Sequence, residues 1–183
     1  MRIAAAALVL VLAACNPASE PPAAPEAPAA QSDAPFLSAA GYGPVRIGMT
    51  IEEASTALGA QLVPDGNFDE PDACQTLHID GVTDEDPLRF MAQGGRITRI
   101  SDYGGRDATT PEGVGVASTD SEIRAAYPNA IEQPAKYNAA PAHDLIIWTT
   151  PNESGVRFEI NEQGVATIVH AGDESIQLVE GCA

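Results

Sequence analysis

The chain opens with an unbroken apolar run, Ile3 to Ala14, behind one positive charge at Arg2. A run of about twelve residues is too short to cross ~30 Å of hydrocarbon as a helix. With small residues at its end it reads as a secretory signal over residues 1–14. The apolar pattern then stops. Residues 16–35 hold six prolines and no large apolar side chain. Such a stretch cannot bury a core and is expected to be an extended tether, reaching ~60 Å at most. Periodicity resumes after Phe36, so residues 36–183 are expected to form the globular part. Phe36–Ala40 leaves room for one turn ahead of it.

Within that part a short β-prone run, Val45 to Ile47, leads to Thr50-x-x-Glu53. A second, Val114 to Val116, leads to Thr119-x-x-Glu122. Each is a capping box: the threonine hydroxyl accepts from the third helical N–H, and the glutamate reaches back to the cap N–H. The helices they start carry buried stripes at Ile51, Ala54 and Leu58, and at Ile123, Ala126 and Tyr127. Gly59 and Pro128 end them. Strands are expected at Gln75–Asp80, Leu88–Gln93 and Arg96–Tyr103, with Gly94-Gly95 as a hairpin turn. A second group falls at Leu145–Thr150, Gly155–Ile160 and Val165–Ala171, and a last strand at Ser175–Glu180. Two blocks recur in order at an offset of 68–69 residues: Val45–Ala54 with Val114–Ile123, and Arg89–Ile97 with Arg157–Val165. The expected fold class is α+β. It comprises two tandem repeats, about 43–103 and 112–171, each a short capped helix packed on a small antiparallel β-sheet, plus a C-terminal strand.

Leu12-Ala13-Ala14-Cys15 resembles a bacterial lipobox. The resemblance implies cleavage before Cys15, diacylglycerol on its sulfur and an acylated new N-terminus; an ordinary cut nearby would leave Cys15 a free thiol. Asn16 leans towards outer-membrane sorting. Val45-Arg46-Ile47-Gly48-Met49-Thr50, with Ala57-Leu58-Gly59 downstream, resembles the signature of BamE-type (SmpA/OmlA) lipoproteins. The tandem arrangement is similar to the β-lactamase inhibitor protein family, whose two α/β repeats share that Gly-Met-Thr helix start. These resemblances imply a fold and an envelope setting; the motif itself carries no chemistry.

Composition narrows the partners. With 9 basic and 26 acidic residues the formal net charge is −17. That disfavours nucleic acid, whose phosphates need Lys and Arg, and adsorption of the folded domain to anionic lipid. Membrane attachment is therefore expected through the lipid on Cys15. The acidic surface can steer a basic partner, and it equally serves solubility. After Cys15 only Cys74 and Cys182 remain, and two cysteines in an exported chain usually pair; free thiols are the alternative. His78, His143 and His170 lack zinc-site spacing. His78, flanked by Leu77 and Ile79, is expected to face solvent. The acidic loops Asp65–Asp72 and Asp84–Asp86 lack EF-hand order. No phosphate loop, nucleophile elbow or zinc-protease motif occurs. Lys136 and Tyr137, in the irregular segment between Pro134 and Pro141, are the candidate partner-binding residues.

The expectation is thus a non-enzymatic, lipid-anchored lipoprotein of the outer membrane facing the periplasm. It would bind another envelope protein, as an assembly module, without cofactor or metal. Inhibition of a basic, lysozyme-like hydrolase and binding of a small ligand or Ca²⁺ are the alternatives.

Overall fold

A computed structural model describes residues 35–66, 73–82, 87–106 and 108–182. The signal, Cys15 and the tether up to Ala34 lie outside the described residues, as do most of the two acidic loops. Phe36–Ala40 does not form a turn of helix. Its residues enter a three-stranded antiparallel sheet of two-residue strands, β1 (Leu37–Ser38), β2 (Gly41–Tyr42) and β3 (Val45–Arg46). Leu37, Tyr42 and Val45 are buried in the core, so the segment packs into the globular part as strands.

Helix α1 (Ile51–Leu58) starts as a reciprocal capping box. The Glu53 N–H donates to Thr50 Oγ1 at 3.1 Å and the Thr50 N–H to Glu53 Oε2 at 2.8 Å. Gly59 closes it in the left-handed region, at φ 68°. Helix α2 (Asp120–Ala126) starts the same way, with Thr119 and Glu122 exchanging bonds of 3.3 and 2.8 Å. Both helices are too short to be stable alone. Each is docked by its first amide onto a hairpin: Ile51 N–H donates to Gly95 O, and Asp120 N–H to Gly164 O.

The remaining strands are β4 (Leu62–Pro64), β5 (Gln75–Ile79), β6 (Leu88–Gln93), β7 (Arg96–Asp102), β8 (Ile131–Pro134), β9 (His143–Thr150), β10 (Ser154–Ile160) and β11 (Ala166–Asp173). They form one antiparallel sheet in the order β4-β5-β6-β7-β11-β10-β9-β8. The strands after α1 meet those after α2 along β7 and β11, where Arg99 faces Gly172 and Ser101 faces His170. The outermost strands are short and end on Pro64 and Pro134, which have no amide to donate.

This overturns the expected fold class. The chain is mostly β, 43% strand and 14% helical, with one eight-stranded sheet and a three-stranded sheet rather than tandem repeats of a capped helix on a small sheet. The reason is physical. Strands of two to four residues, as in β1 to β4 and β8, are too short to show a period-2 pattern, so the sequence under-reports them. The expected last strand at Ser175–Glu180 is also corrected. Glu174–Gln177 is a 3-10 turn, capped by Asp173, whose Oδ1 accepts from the Ser175 N–H. Apolar alternation at Ile176 and Leu178 mimicked a strand.

Register sorts the sheet into two faces, because neighbouring residues in a strand point opposite ways. Leu77, Phe90, Ile100, Ala171 and Val156 lie in one row across five strands. They belong to the apolar core, with Phe158, Leu145, Ala54 and Ile123. The opposite face carries Met91, Arg99, Gly172, Gly155 and Trp148, and beside them Arg89, Ser101, His170, Arg157, Glu159 and Asp144.

Candidate functional site

The second face is polar yet buried. Arg99, Ser101, Asp144, Arg157 and His170 are all less than a tenth exposed. What covers them is the 3-10 turn and the strap that follows it, residues 178–182. The two arginines hold this cover. Arg157 Nη1 donates to Ile176 O at 2.9 Å. Arg99 Nη1 donates to Ser175 O at 3.0 Å and to Leu178 O at 2.6 Å. Cys182 then bonds to Cys74, just ahead of β5, with Cα atoms 5.2 Å apart and 108 residues between them in sequence. The strap therefore ties β7, β10 and the start of β5 together.

Beneath it lies a charged network. Arg157 Nη2 meets Glu159 Oε1 at 2.5 Å. Arg157 Nε is 3.1 Å from Asp144 Oδ2, close enough to attract but not aligned as a hydrogen bond. His170 Nε2 is 3.0 Å from Glu159 Oε1, and its Nδ1 is 2.7 Å from Ser101 Oγ. Burial pulls the His170 imidazole down to about 4, against the opposing pull of Glu159. The ring is therefore neutral near pH 7. Its Nε2–H donates to the Glu159 carboxylate, and Nδ1 accepts from the Ser101 hydroxyl. Burial pushes Glu159 upward, but the His170 hydrogen bond and the charges of His170, Arg157 and Arg99 outweigh it and hold the carboxylate below its usual value. For Asp144 burial wins over Arg157 and raises it.

Serine, histidine and glutamate in one chain of hydrogen bonds invite comparison with a nucleophile and its base. The chemistry does not favour it. An imidazole whose conjugate acid sits at about 4 accepts a serine proton poorly. Ser101 is also only 2% exposed. The trio stiffens the face instead.

Over this stiff base sits an exposed apolar patch. Among the described residues five large hydrophobic side chains are exposed, and four gather here: Tyr103 (49%), Tyr137 (62%), Leu178 (41%) and Val179 (37%). Val179 lies between two cavities. One, of about 240 Å³, is lined by Lys136, Tyr137, Asp144, Arg157 and Glu159. The other, of about 140 Å³, is lined by Thr76, Arg89, Arg99, Ser101 and Tyr103. The Tyr137 hydroxyl donates to the Glu180 carboxylate, fastening the β8–β9 loop to the strap.

Lys136 and Tyr137 thus stand at the rim of the larger cavity, both exposed. Cys74 and Cys182 are bonded to each other. Thr50, Glu53, Thr119 and Glu122 are at their helix starts, away from this face. Hydrogen bonds from the Thr50 and Thr119 backbones lead in holding the Glu53 and Glu122 carboxyls below their usual range. His78 does not simply face solvent: its Nδ1 is 2.6 Å from Asp65 Oδ1, and it is half-buried. His143 Nε2 meets Asp120 Oδ2 at 2.5 Å. Arg124 leads in lowering Asp120, ahead of His143. Among the described residues no group of three or more His, Cys, Asp or Glu is placed to hold a metal ion, and no helix is long and apolar enough to cross a membrane. Sequence reasoning missed Arg99, Arg157, Glu159, Ser101 and the strap, and weighed His170 only as a metal ligand. The available signal was Arg157 and Glu159 alternating with apolar residues in a strand whose polar side proves to be covered.

The chain matches no protein-family profile, no curated protein and no solved structure.

Proposed function

We propose that this chain is a lipid-anchored envelope protein that acts without catalysis, binding a basic protein partner through the strap. The observation that carries this reading is the patch of Tyr103, Tyr137, Leu178 and Val179. Tyrosine and large aliphatic side chains gathered on a stiff support are what protein interfaces use as anchors, whereas scattered exposed hydrophobics are ordinary. The net charge of −17 and Glu180 in the same strap favour a partner of opposite sign. The lipobox resemblance at Cys15 supports the envelope setting.

The test is photo-crosslinking in intact cells from single positions. Probes at Tyr103, Tyr137 and Val179 should capture one and the same basic protein, and less of it at raised ionic strength. A probe at exposed Glu52 on α1 should not capture it. Capture of unrelated proteins from the three strap positions, or equal capture from Glu52, refutes the reading. A basic hydrolase is the second candidate partner, favoured by the same charge. Lysozyme activity unchanged by an excess of the protein, at low and at moderate salt, removes it.

A further inference from the structure

The larger cavity beside the strap presents open charges of both signs. Asp144 on β9 and Glu159 on β10 are register partners, so their carboxylates share one face. Arg157 serves both: its Nη2 meets Glu159 Oε1, and its Nε lies 3.1 Å from Asp144 Oδ2. That guanidinium is committed, because Nη1 donates to Ile176 O and Nε is sealed from solvent. The carboxylates keep open positions. Among the described residues neither Asp144 oxygen accepts an aligned hydrogen bond, although the residue is only 7% exposed. Glu159 Oε1 takes Arg157 and His170, which leaves Oε2 unused. None of these unused oxygens is among the sealed polar atoms, and both residues line the cavity of about 240 Å³. Burial raises the Asp144 carboxyl in spite of Arg157, as expected of an acceptor short of donors.

The same space holds one uncommitted cation. Lys136 lines it, is exposed, and has no ion pair or hydrogen bond among the described residues. Glu162 adds a carboxylate there, exposed to water, where screening weakens it. Ala135, Tyr137 and Val179 contribute apolar wall. A purely cationic ligand would meet Lys136, and a purely anionic one would meet Asp144 and Glu159. A ligand that carries an ammonium and a carboxylate satisfies both sets. The volume is below the ~300–1,000 Å³ of pockets for drug-sized molecules, which suits one amino acid rather than a longer peptide.

We propose that this cavity binds a free aliphatic α-amino acid as its zwitterion. The ammonium sits on Asp144 and Glu159, the carboxylate on Lys136, and the side chain against Tyr137 and Val179. The site does not rest on the partner reading above: it is measured on the protein alone, and crosslinking to a partner neither requires it nor tests it.

The experiment titrates the full chain in detergent with L-leucine, with isoamylamine, which lacks the carboxylate, and with 4-methylpentanoate, which lacks the ammonium. Lys136 is the one lysine, so lysine-selective labelling gives a single Cε signal to follow, with calorimetry as the measure of affinity. Leucine should move that signal saturably. Each analogue should bind roughly tenfold or more weakly, as expected when a charge-assisted contact is lost. Lys136→Met removes an exposed side chain with no contact to keep, so this variant should fold normally. It should weaken leucine to the level of isoamylamine without weakening isoamylamine itself. Asp144→Asn, where it folds, should weaken leucine and isoamylamine alike. No saturable response to leucine overturns the proposal. So does either analogue binding as tightly as leucine, or undiminished leucine binding in Lys136→Met.

Discussion

Mild acidification should destabilise this protein through a single imidazole. His170 is 4% exposed and stays neutral until about pH 4, whereas an unfolded histidine protonates near ~6.5. As pH falls below ~6.5 the unfolded chain takes up a proton that the folded chain refuses, so folding stability drops. The slope approaches ~1.4 kcal/mol per pH unit, so moving from about pH 7 to about pH 5 should remove about 2 kcal/mol. Stopping there stays above the usual carboxylate range. The assay is urea unfolding at both pH values, followed by the fluorescence of Trp148, the one tryptophan. His170→Asn supplies the control. Its amide oxygen can still accept from Ser101 but cannot titrate. The variant starts less stable because Glu159 loses a donor, yet it should lose about 2 kcal/mol less than the parent over the same interval. Equal losses in parent and variant would show that the buried ring is not the cause.

Other perturbations test the frame of the molecule. Replacing Cys74 and Cys182 together by serine opens a loop of 108 residues; the chain-entropy account puts the loss at about 4–5 kcal/mol, read from the urea midpoint. Thr50→Ala and Thr119→Ala should each cost about 1 kcal/mol by removing a helix cap, with the two losses additive in the double variant if the ends act independently. Gly172→Ala would place a methyl 2.2 Å from Thr98 O across the β7–β11 seam; a loss of about 1–3 kcal/mol is expected from overpacking, and a thermal melt matching the parent would contradict the register.

Local signals were legible in the sequence where a few residues decide the geometry. Thr50 with Glu53, and Thr119 with Glu122, specify a helix start through their own hydrogen bonds. Gly94-Gly95 specifies the β6–β7 turn. Leu88–Gln93 was bounded correctly because its flanks are a proline and a glycine pair. What was not legible depends on distant partners. Nothing near Ile131 says that Ile131–Pro134 would pair with β9. Nothing near Arg99 says that its guanidinium would receive carbonyls from residues 76 and 79 positions away. Lys136 and Tyr137 were singled out for irregularity, and they stand beside a cavity; Val179, which borders the same space, was assigned to a strand. Buried ionic layers are hard to see in a sequence because their residue types are those of a wet surface.

The two prolines that finish the big sheet limit how copies can meet. A neighbour trying to extend the ladder finds three residues at β4 and four at β8, each closing on a ring where an amide is needed. Growth into fibres by stacking strand on strand is starved at both ends. Any companion must read side chains rather than borrow backbone.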